Sequence, residues 1–229
     1  MFGFNYYIFM LPAIILAGLA TLFTKTTFSR YARIRASSGL TGAEAVTRMF
    51  SYKGIRDVQI EQVNGFLSDH YDPTSRTLRL SPDVYNSDSL SAIGVACHEA
   101  GHAIQHATGY IPLTLRSALL PAVQVGTIAP YIFLGLGVLL NNFGLIKIGA
   151  LLFSLVVVFS LVTLPVEWNA SSRAKKLMVS AGIVSPAEQV MAGNVLNAAF
   201  LTYVAAAFTS LLSFLHFLLQ TGIIGRRND

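Results

Sequence analysis

Charged residues are scarce in this 229-residue chain: they make up 12% of it, whereas 53% is hydrophobic. So few charges, with a mean hydropathy of +0.58, exclude an ordinary soluble domain and indicate membrane insertion. The single cysteine, Cys97, excludes an intrachain disulfide, and we interpret it as a small core residue rather than a ligand. Internal repeats and low-complexity tracts are also absent. Membrane topology explains the net charge of +5 better than nucleic-acid binding does.

Four apolar runs predict transmembrane helices at 5–23, 119–140, 146–164 and 195–219. In the second run Pro121, Gln124 and Pro130 leave open a kinked or partly re-entrant path. No basic residue precedes the first run and several follow it, which is the opposite of a cleaved signal peptide and predicts an uncleaved anchor. With four spans, all but three of the 16 Lys and Arg residues fall on one side, which we expect to face the cytoplasm of a bacterial plasma membrane. The exceptions are Lys147, Arg226 and Arg227.

The polar segment 24–116 is predicted to form a small α+β unit. Thr41 and Glu44 form a capping box that opens a helix ending near Gly54. Residues 58–63 alternate like a strand, and Asn64-Gly65 predicts a hairpin into 66–71. After a turn at 72–75 the pattern alternates again over 76–80, so we expect a small antiparallel sheet. A second helix is predicted from Ser87 or Ser89 to Gly109.

That second helix carries His98-Glu99-Ala-Gly-His102. Residues i and i+4 share one helical face, so both imidazoles can reach one Zn²⁺ at roughly 2.0–2.1 Å. Glu99 is rotated about a quarter-turn away, which frees it to act on a water at the metal as the general base of a zinc hydrolase. The pattern also occurs by chance in helices. Here the preceding stretch is apolar, and two histidines and a glutamate on a buried helix are costly unless a metal compensates them.

A catalytic zinc usually needs a third protein ligand. His106 lies eight residues after His98, roughly 12 Å along the helix, so it is interpreted as an outer-shell group or a satisfied polar residue. Glu188 is not favoured as the ligand, because it lies three residues after Ser185 and a capping box at the start of a helix accounts for it. Glu167 follows the third span, at the start of a predicted helical segment at 165–194, and is the predicted third ligand. The upstream rivals are Asp69, His70 and Asp72.

Other side chains are candidates for supporting roles. Ser171 lies four residues after Glu167, on the same helical face, where it can orient a ligand. A donor for the oxyanion of peptide hydrolysis is expected from one of four residues, among which His70 is slightly favoured although a surface histidine explains it equally well. The four are His70, Tyr71, Tyr110 and Arg173. The edge of the 66–80 hairpin is the expected place for an extended substrate.

Several motifs in this order resemble the bacterial YugP-like family of neutral zinc metallopeptidases. They are Asp69-His-Tyr-Asp-Pro73, Leu80-Ser81, Val95-Ala-Cys-His-Glu-Ala-Gly-His-Ala-Ile-Gln105 and Pro165-Val-Glu-Trp-Asn-Ala-Ser171. The resemblance runs from about Gly3 to Leu219. It implies an integral-membrane peptidase of the gluzincin type, with one zinc per chain bound by His98, His102 and Glu167, and with Glu99 as general base. The family pattern usually has an aspartate where this chain has Asn169, which keeps hydrogen bonding but removes a charge.

The expected fold is therefore mostly α, with about four transmembrane helices and a small zincin-like metallopeptidase unit at the membrane face. The expected function is a zinc-dependent metalloendopeptidase acting on proteins or peptides, and the alternative is a catalytically silent zinc-bearing scaffold. A metal transporter is disfavoured because ionisable groups in the spans lie only near the ends, at Lys147 and His216. The expected partners are the substrate and the lipid bilayer, without nucleic acid. The sequence leaves oligomers and regulatory partners open.

Overall fold

The computed structural model describes residues 4–65, 68–126 and 128–223, with side chains for all of these except 4, 5, 125 and 126. Arg226 and Arg227, which enter the charge argument above, lie outside the described residues, as do residues 66 and 67 of the predicted hairpin. The elements in chain order are α1 (Phe4–Tyr31), α2 (Gly42–Lys53), β1 (Gln59–Gln62), β2 (His70–Asp72), β3 (Thr77–Leu80), α3 (Pro82–Tyr85), α4 (Leu90–Ala107), α5 (Ile111–Gly126), α6 (Ala129–Leu139), α7 (Phe143–Ser180) and α8 (Pro186–Gln220).

The chain divides into two compact units. One contains the residues up to Leu19, Leu115–Leu164 and the residues from Thr202 onward; the other contains Ala20–Thr114 and Pro165–Leu201. The chain is mostly helical with one small sheet, as expected.

Three described helices are long and apolar enough to cross a membrane: Tyr6–Tyr31, Phe143–Ser180 and Pro186–Gln220. A fourth candidate is the pair Ile111–Gln124 and Ala129–Leu139, which passes the same test only when taken together and is bent by 43°. In the apolar 18-residue window of each single span 17–22% of the residues are buried, which leaves side chains available for contact with lipid. Together with the sequence composition, this supports membrane association.

In the second unit, α2 is held at both ends by the predicted caps. The Glu44 N–H donates to the Thr41 hydroxyl, and the Thr41 N–H donates to the Glu44 carboxylate at 2.8 Å. Gly54 closes the helix in the left-handed conformation at φ 71°. The face carrying Val46 and Met49 is fully buried in the core cluster that also contains residues of α4.

The sheet departs from its predicted topology. Its strand order is β1-β3-β2, with β1 parallel to β3 and β2 antiparallel to β3. The predicted hairpin at Asn64-Gly65 and the purely antiparallel sheet are therefore wrong. The physical reason is burial: Leu78 and Leu80 of β3 are fully buried, so this strand takes the central position and pairs on both sides. The predicted turn at 72–75 does connect β2 to β3.

The candidate site lies on α4 and on the part of α7 from Pro165 onward, both within the second unit. Ser89 caps α4 by accepting the Ala92 N–H, within the predicted starting range. No new helix begins at Pro165; instead α7 runs without interruption from Phe143 to Ser180, with Pro165 inside it. The two helices approach closely at Gly101, where an added Cβ would lie 2.6 Å from the Ala170 carbonyl oxygen.

Candidate metal centre

Three side chains from α4 and α7 converge on one point. His98, His102 and Glu167 each offer a ligand atom, and these atoms lie within 4.8 Å of one another. Glu167 Oε2 is 3.1 Å from His98 Nε2 and 3.6 Å from His102 Nε2. The Glu167 side chain is 1% exposed, and the imidazoles are 13% and 9% exposed. The structure thus brings together the three residues predicted as ligands, although 69 positions separate His98 from Glu167 along the chain.

The set fits zinc in both chemistry and spacing. Two imidazole nitrogens and one carboxylate oxygen are a usual ligand set for catalytic Zn²⁺, with a fourth position left for water. Ligand atoms 2.0–2.1 Å from a tetrahedral ion lie roughly 3.3 Å from one another. The two separations from Glu167 Oε2, 3.1 and 3.6 Å, fall on either side of that value, and all three ligand atoms lie within 4.8 Å of one another. These three residues could therefore hold a zinc ion without large rearrangement.

In each imidazole, the Nδ1 nitrogen contacts a side chain that is not one of the three candidate ligands. His98 Nδ1 lies 3.0 Å from the buried Ser171 hydroxyl, and His102 Nδ1 lies 3.0 Å from Gln105 Oε1. Because a side-chain amide oxygen only accepts, His102 must carry its proton on Nδ1 in this contact. That tautomer directs the lone pair of Nε2 toward the cluster, which is what a metal ligand needs.

Gln105 joins the two helices behind His102. It is fully buried, and its Nε2 donates to the Val166 carbonyl at 2.8 Å and to Asn169 Oδ1 at 3.0 Å. Both amide protons are thereby used, so the amide is fixed with its oxygen facing His102. Asn169 Oδ1 also accepts from Arg173 Nε at 2.7 Å. The predicted supporting residues Asn169 and Arg173 thus reach His102 through Gln105.

Glu99 stands apart from the ligand set, as its position on the helix predicts. It is half-buried on α4 and is not one of the three converging residues. Burial raises the pKa of Glu99 above its usual range; the nearby histidines His98 and His102 oppose this rise, and the carboxylates of Glu167 and Asp69 add to it. A raised pKa makes the Glu99 carboxylate a stronger base than an exposed glutamate.

The upstream residues considered as alternatives to Glu167 make other contacts in the fold. Asp69 accepts hydrogen bonds from the N–H and the hydroxyl of Ser81, at 2.8 and 3.1 Å. Asp72 closes the β2–β3 turn by accepting from the Thr74 N–H and the Ser75 hydroxyl. Neither Asp69, His70 nor Asp72 belongs to the converging set.

The candidate oxyanion donors lie at different places. The exposed His70 has its Nδ1 2.7 Å from the Ser68 carbonyl, and Tyr110 donates to the Pro165 carbonyl at 3.4 Å. The Tyr71 hydroxyl lies 2.8 Å from His106 Nδ1, and both residues line a groove of about 530 Å³ that contains none of the three candidate ligands. His106 is therefore a satisfied polar residue. The role of His70 stays a prediction.

One residue of the site, Gln105, was given no role from the sequence. Gln105 could have been noticed because it lies three residues after His102, on the same helical face. Its partners, however, are 61 and 64 residues away in sequence. The small residues Ala100, Gly101 and Ala103 predict that a strand of substrate or a second ligand helix can come close to the motif, and α7 does so at Gly101.

The fold and the cluster together define a membrane-associated helical protein with a two-histidine, one-glutamate set suited to zinc. Residues 6–222 match the model of a family described as "Putative neutral zinc metallopeptidase". The chain belongs to this family, which confirms the predicted resemblance and supports a protease. It is 50% identical over 196 residues to "Putative membrane protease YugP" of Bacillus subtilis (strain 168), an alignment that covers 85% of this chain and 87% of that protein. No solved structure matches.

Proposed function

We propose that the protein is a zinc-dependent metalloendopeptidase that cleaves proteins or peptides at the cytoplasmic face of the membrane. The observation that carries this proposal is the convergence of His98, His102 and Glu167, with Glu99 beside them and not needed as a ligand. A purely structural zinc site has no use for that additional carboxylate on the same helix. The family membership supports the same class of reaction.

Each side chain has a distinct role in this proposal. His98, His102 and Glu167 would hold the ion, and Ser171 and Gln105 orient the two imidazoles. A bound zinc would supply Lewis acidity and lower the pKa of a water toward roughly 7. Glu99 takes the proton from the attacking water and later delivers it to the amine nitrogen as the peptide C–N bond breaks. The oxygen of the water ends on the carbonyl carbon, so the products are a carboxylate and an amine.

The substrate is proposed to bind in an extended conformation along β2. This strand has an outer position in the sheet and, within the described parts of the chain, pairs only with β3. Its other edge can accept a further strand through main-chain hydrogen bonds. Tyr110, Arg173 and His70 remain the candidates for stabilising the oxyanion.

The test separates metal binding from catalysis. Glu99→Gln in the full-length, membrane-reconstituted protein should keep about one zinc per chain and lose roughly 10²–10⁴-fold in cleavage rate of an unfolded protein. Glu61→Gln is the matched control, because Glu61 lies in β1 and forms an ion pair with Arg79. A Glu99→Gln protein that cleaves as fast as the unchanged protein would disprove the assignment of the base. Stoichiometric zinc without any cleavage by the unchanged protein would favour the silent scaffold.

A further inference from the structure

The end of α1 presents a basic surface that the peptidase proposal does not use. Five exposed residues line an open groove of about 450 Å³: Lys25, Thr26, Ser29, Arg30 and Arg33. The first four lie on one helical face, and Arg33 follows in the turn after the helix. We call these five residues the basic groove. Its three charges are all positive.

The opposite face of the same helical segment is fixed by packing within its unit. The Thr24 hydroxyl donates to the Ala198 carbonyl at 2.9 Å, and the Ser91 hydroxyl donates to the Phe28 carbonyl at 2.7 Å. The Asn194 amide donates to the hydroxyl of the buried Tyr31 at 3.2 Å. The basic groove is therefore held facing away from the core of this unit.

The charges in the basic groove are not neutralised by acidic neighbours. The α1 sequence contains no Asp or Glu. In the part of the chain that the structure describes, Lys25, Arg30 and Arg33 form no ion pair with a carboxylate. Arg35, two residues further on, behaves differently because its guanidinium is 2.6 Å from Asp88. The groove thus places three cations without a carboxylate partner beside two hydroxyl-bearing side chains.

The position of the groove along α1 indicates what binds there. This helix is long and apolar enough to cross a membrane, and its uncharged run ends immediately before Lys25. Basic side chains at that point lie at the level of the lipid headgroups. We propose that the basic groove binds the phosphate of an anionic phospholipid headgroup. It contains no candidate metal ligand, so this proposal is independent of the peptidase function.

The experiment titrates the detergent-solubilised full chain with phosphatidylglycerol or phosphatidylcholine and counts bound lipid by native mass spectrometry. We expect tighter binding of phosphatidylglycerol. Each basic side chain near an anionic surface contributes about fivefold, so Arg30→Gln/Arg33→Gln should weaken phosphatidylglycerol binding roughly 25-fold and leave phosphatidylcholine binding unchanged. Arg30→Lys/Arg33→Lys keeps both charges and should stay within about threefold of the unchanged protein.

The matched control is Arg56→Gln/Lys176→Gln, which removes the same charge from exposed positions outside the groove. It should change phosphatidylglycerol binding less than about twofold. Equal losses in the control and the groove variants would show diffuse attraction and overturn the proposal, as would no loss in the glutamine groove variant when circular dichroism shows it folded. Calorimetric titration with inorganic phosphate completes the test. Phosphate binding as tight as phosphatidylglycerol binding would show a free-anion site instead of a lipid site.

Discussion

Replacing Gly101 with alanine would insert a methyl group between the two helices that hold the candidate ligands. The added Cβ would lie 2.6 Å from the Ala170 carbonyl oxygen and 3.1 Å from its carbon, whereas ordinary contact begins at 3.4 Å. Because backbone cannot rotate aside as a side chain does, α4 and α7 must separate by about 0.8 Å at this point. Gly101 directly precedes His102, and Ala170 follows Glu167 by three residues. The separation therefore lengthens the distance from His102 to Glu167.

Two opposing terms decide the effect of this change on stability. Overpacking destabilises the fold by about 1–3 kcal/mol, whereas replacing a helical glycine with alanine stabilises the helix by about 1 kcal/mol. We therefore expect a net destabilisation of about 0–2 kcal/mol. Zinc affinity should fall more steeply, by roughly 10–100-fold, because a displaced ligand costs at least as much as a lost outer-shell partner. A large loss of zinc affinity with a small loss of stability is the expected signature.

The assay is competition for zinc against a fluorescent chelator, together with thermal unfolding of the metal-free full-length protein. Gly94→Ala is the matched control, since its Cβ would meet the Ala192 carbonyl oxygen of α8 at 3.2 Å, away from α7. Gly135→Ala adds a second control, because nothing lies within 4 Å of the added atom. Both controls should keep zinc affinity within about twofold. A Gly101→Ala protein with zinc affinity in that same range would refute the close-approach argument.

Three further predictions concern single side chains. Glu167→Ala should weaken zinc binding by more than the roughly 10–100-fold that loss of a residue supporting a ligand costs, as measured by the same competition for zinc against a fluorescent chelator. An unchanged metal content would instead place the third ligand in the β2 region. Gln105→Leu should weaken zinc binding roughly 10–100-fold and shift the ¹⁵N resonances of His102 toward a mixture of tautomers, whereas an unchanged tautomer would contradict its positioning role. Hydrogen bonds from Ser75 and Thr74 lower the pKa of Asp72 from 3.8 to about 2. Because the folded pKa is depressed, the Asp72 carboxylate contributes stability above pH 4 that is lost as the pH falls toward 2. Asp72→Asn should therefore lower the free energy of unfolding at pH 7 and flatten its dependence on pH between 4 and 2, as measured by unfolding at a series of pH values.

Features contained within one element were predictable from the sequence. The capping box at Thr41 and Glu44, the cap at Ser89 and the pairing of His98 with His102 each depend on residues a few positions apart. Their geometry follows from the helix itself, without knowledge of what packs against it.

Pairings between distant segments were predictable only where the choices were few. Glu167 was assigned by elimination, since few acidic or imidazole groups follow the motif. The sheet order was not predicted, because the local turn signal at Asn64-Gly65 competes with the burial of Leu78 and Leu80, and burial decided the pairing. Gln105 could not be assigned a role because its partners belong to a helix whose position the sequence does not reveal.

The candidate site depends on the contact between α4 and α7 as much as on its ligands. On α4 the helical repeat alone places two imidazoles on one face. The carboxylate of α7 reaches them only because the two backbones meet at Gly101 and Ala170, each within one helical turn of a ligand on its own helix. Gln105 fixes the same junction by bonding at once to His102 and to the backbone next to Glu167. The glycine inside the histidine motif is therefore part of the metal site, because any larger residue there separates the helices from which the ligands come.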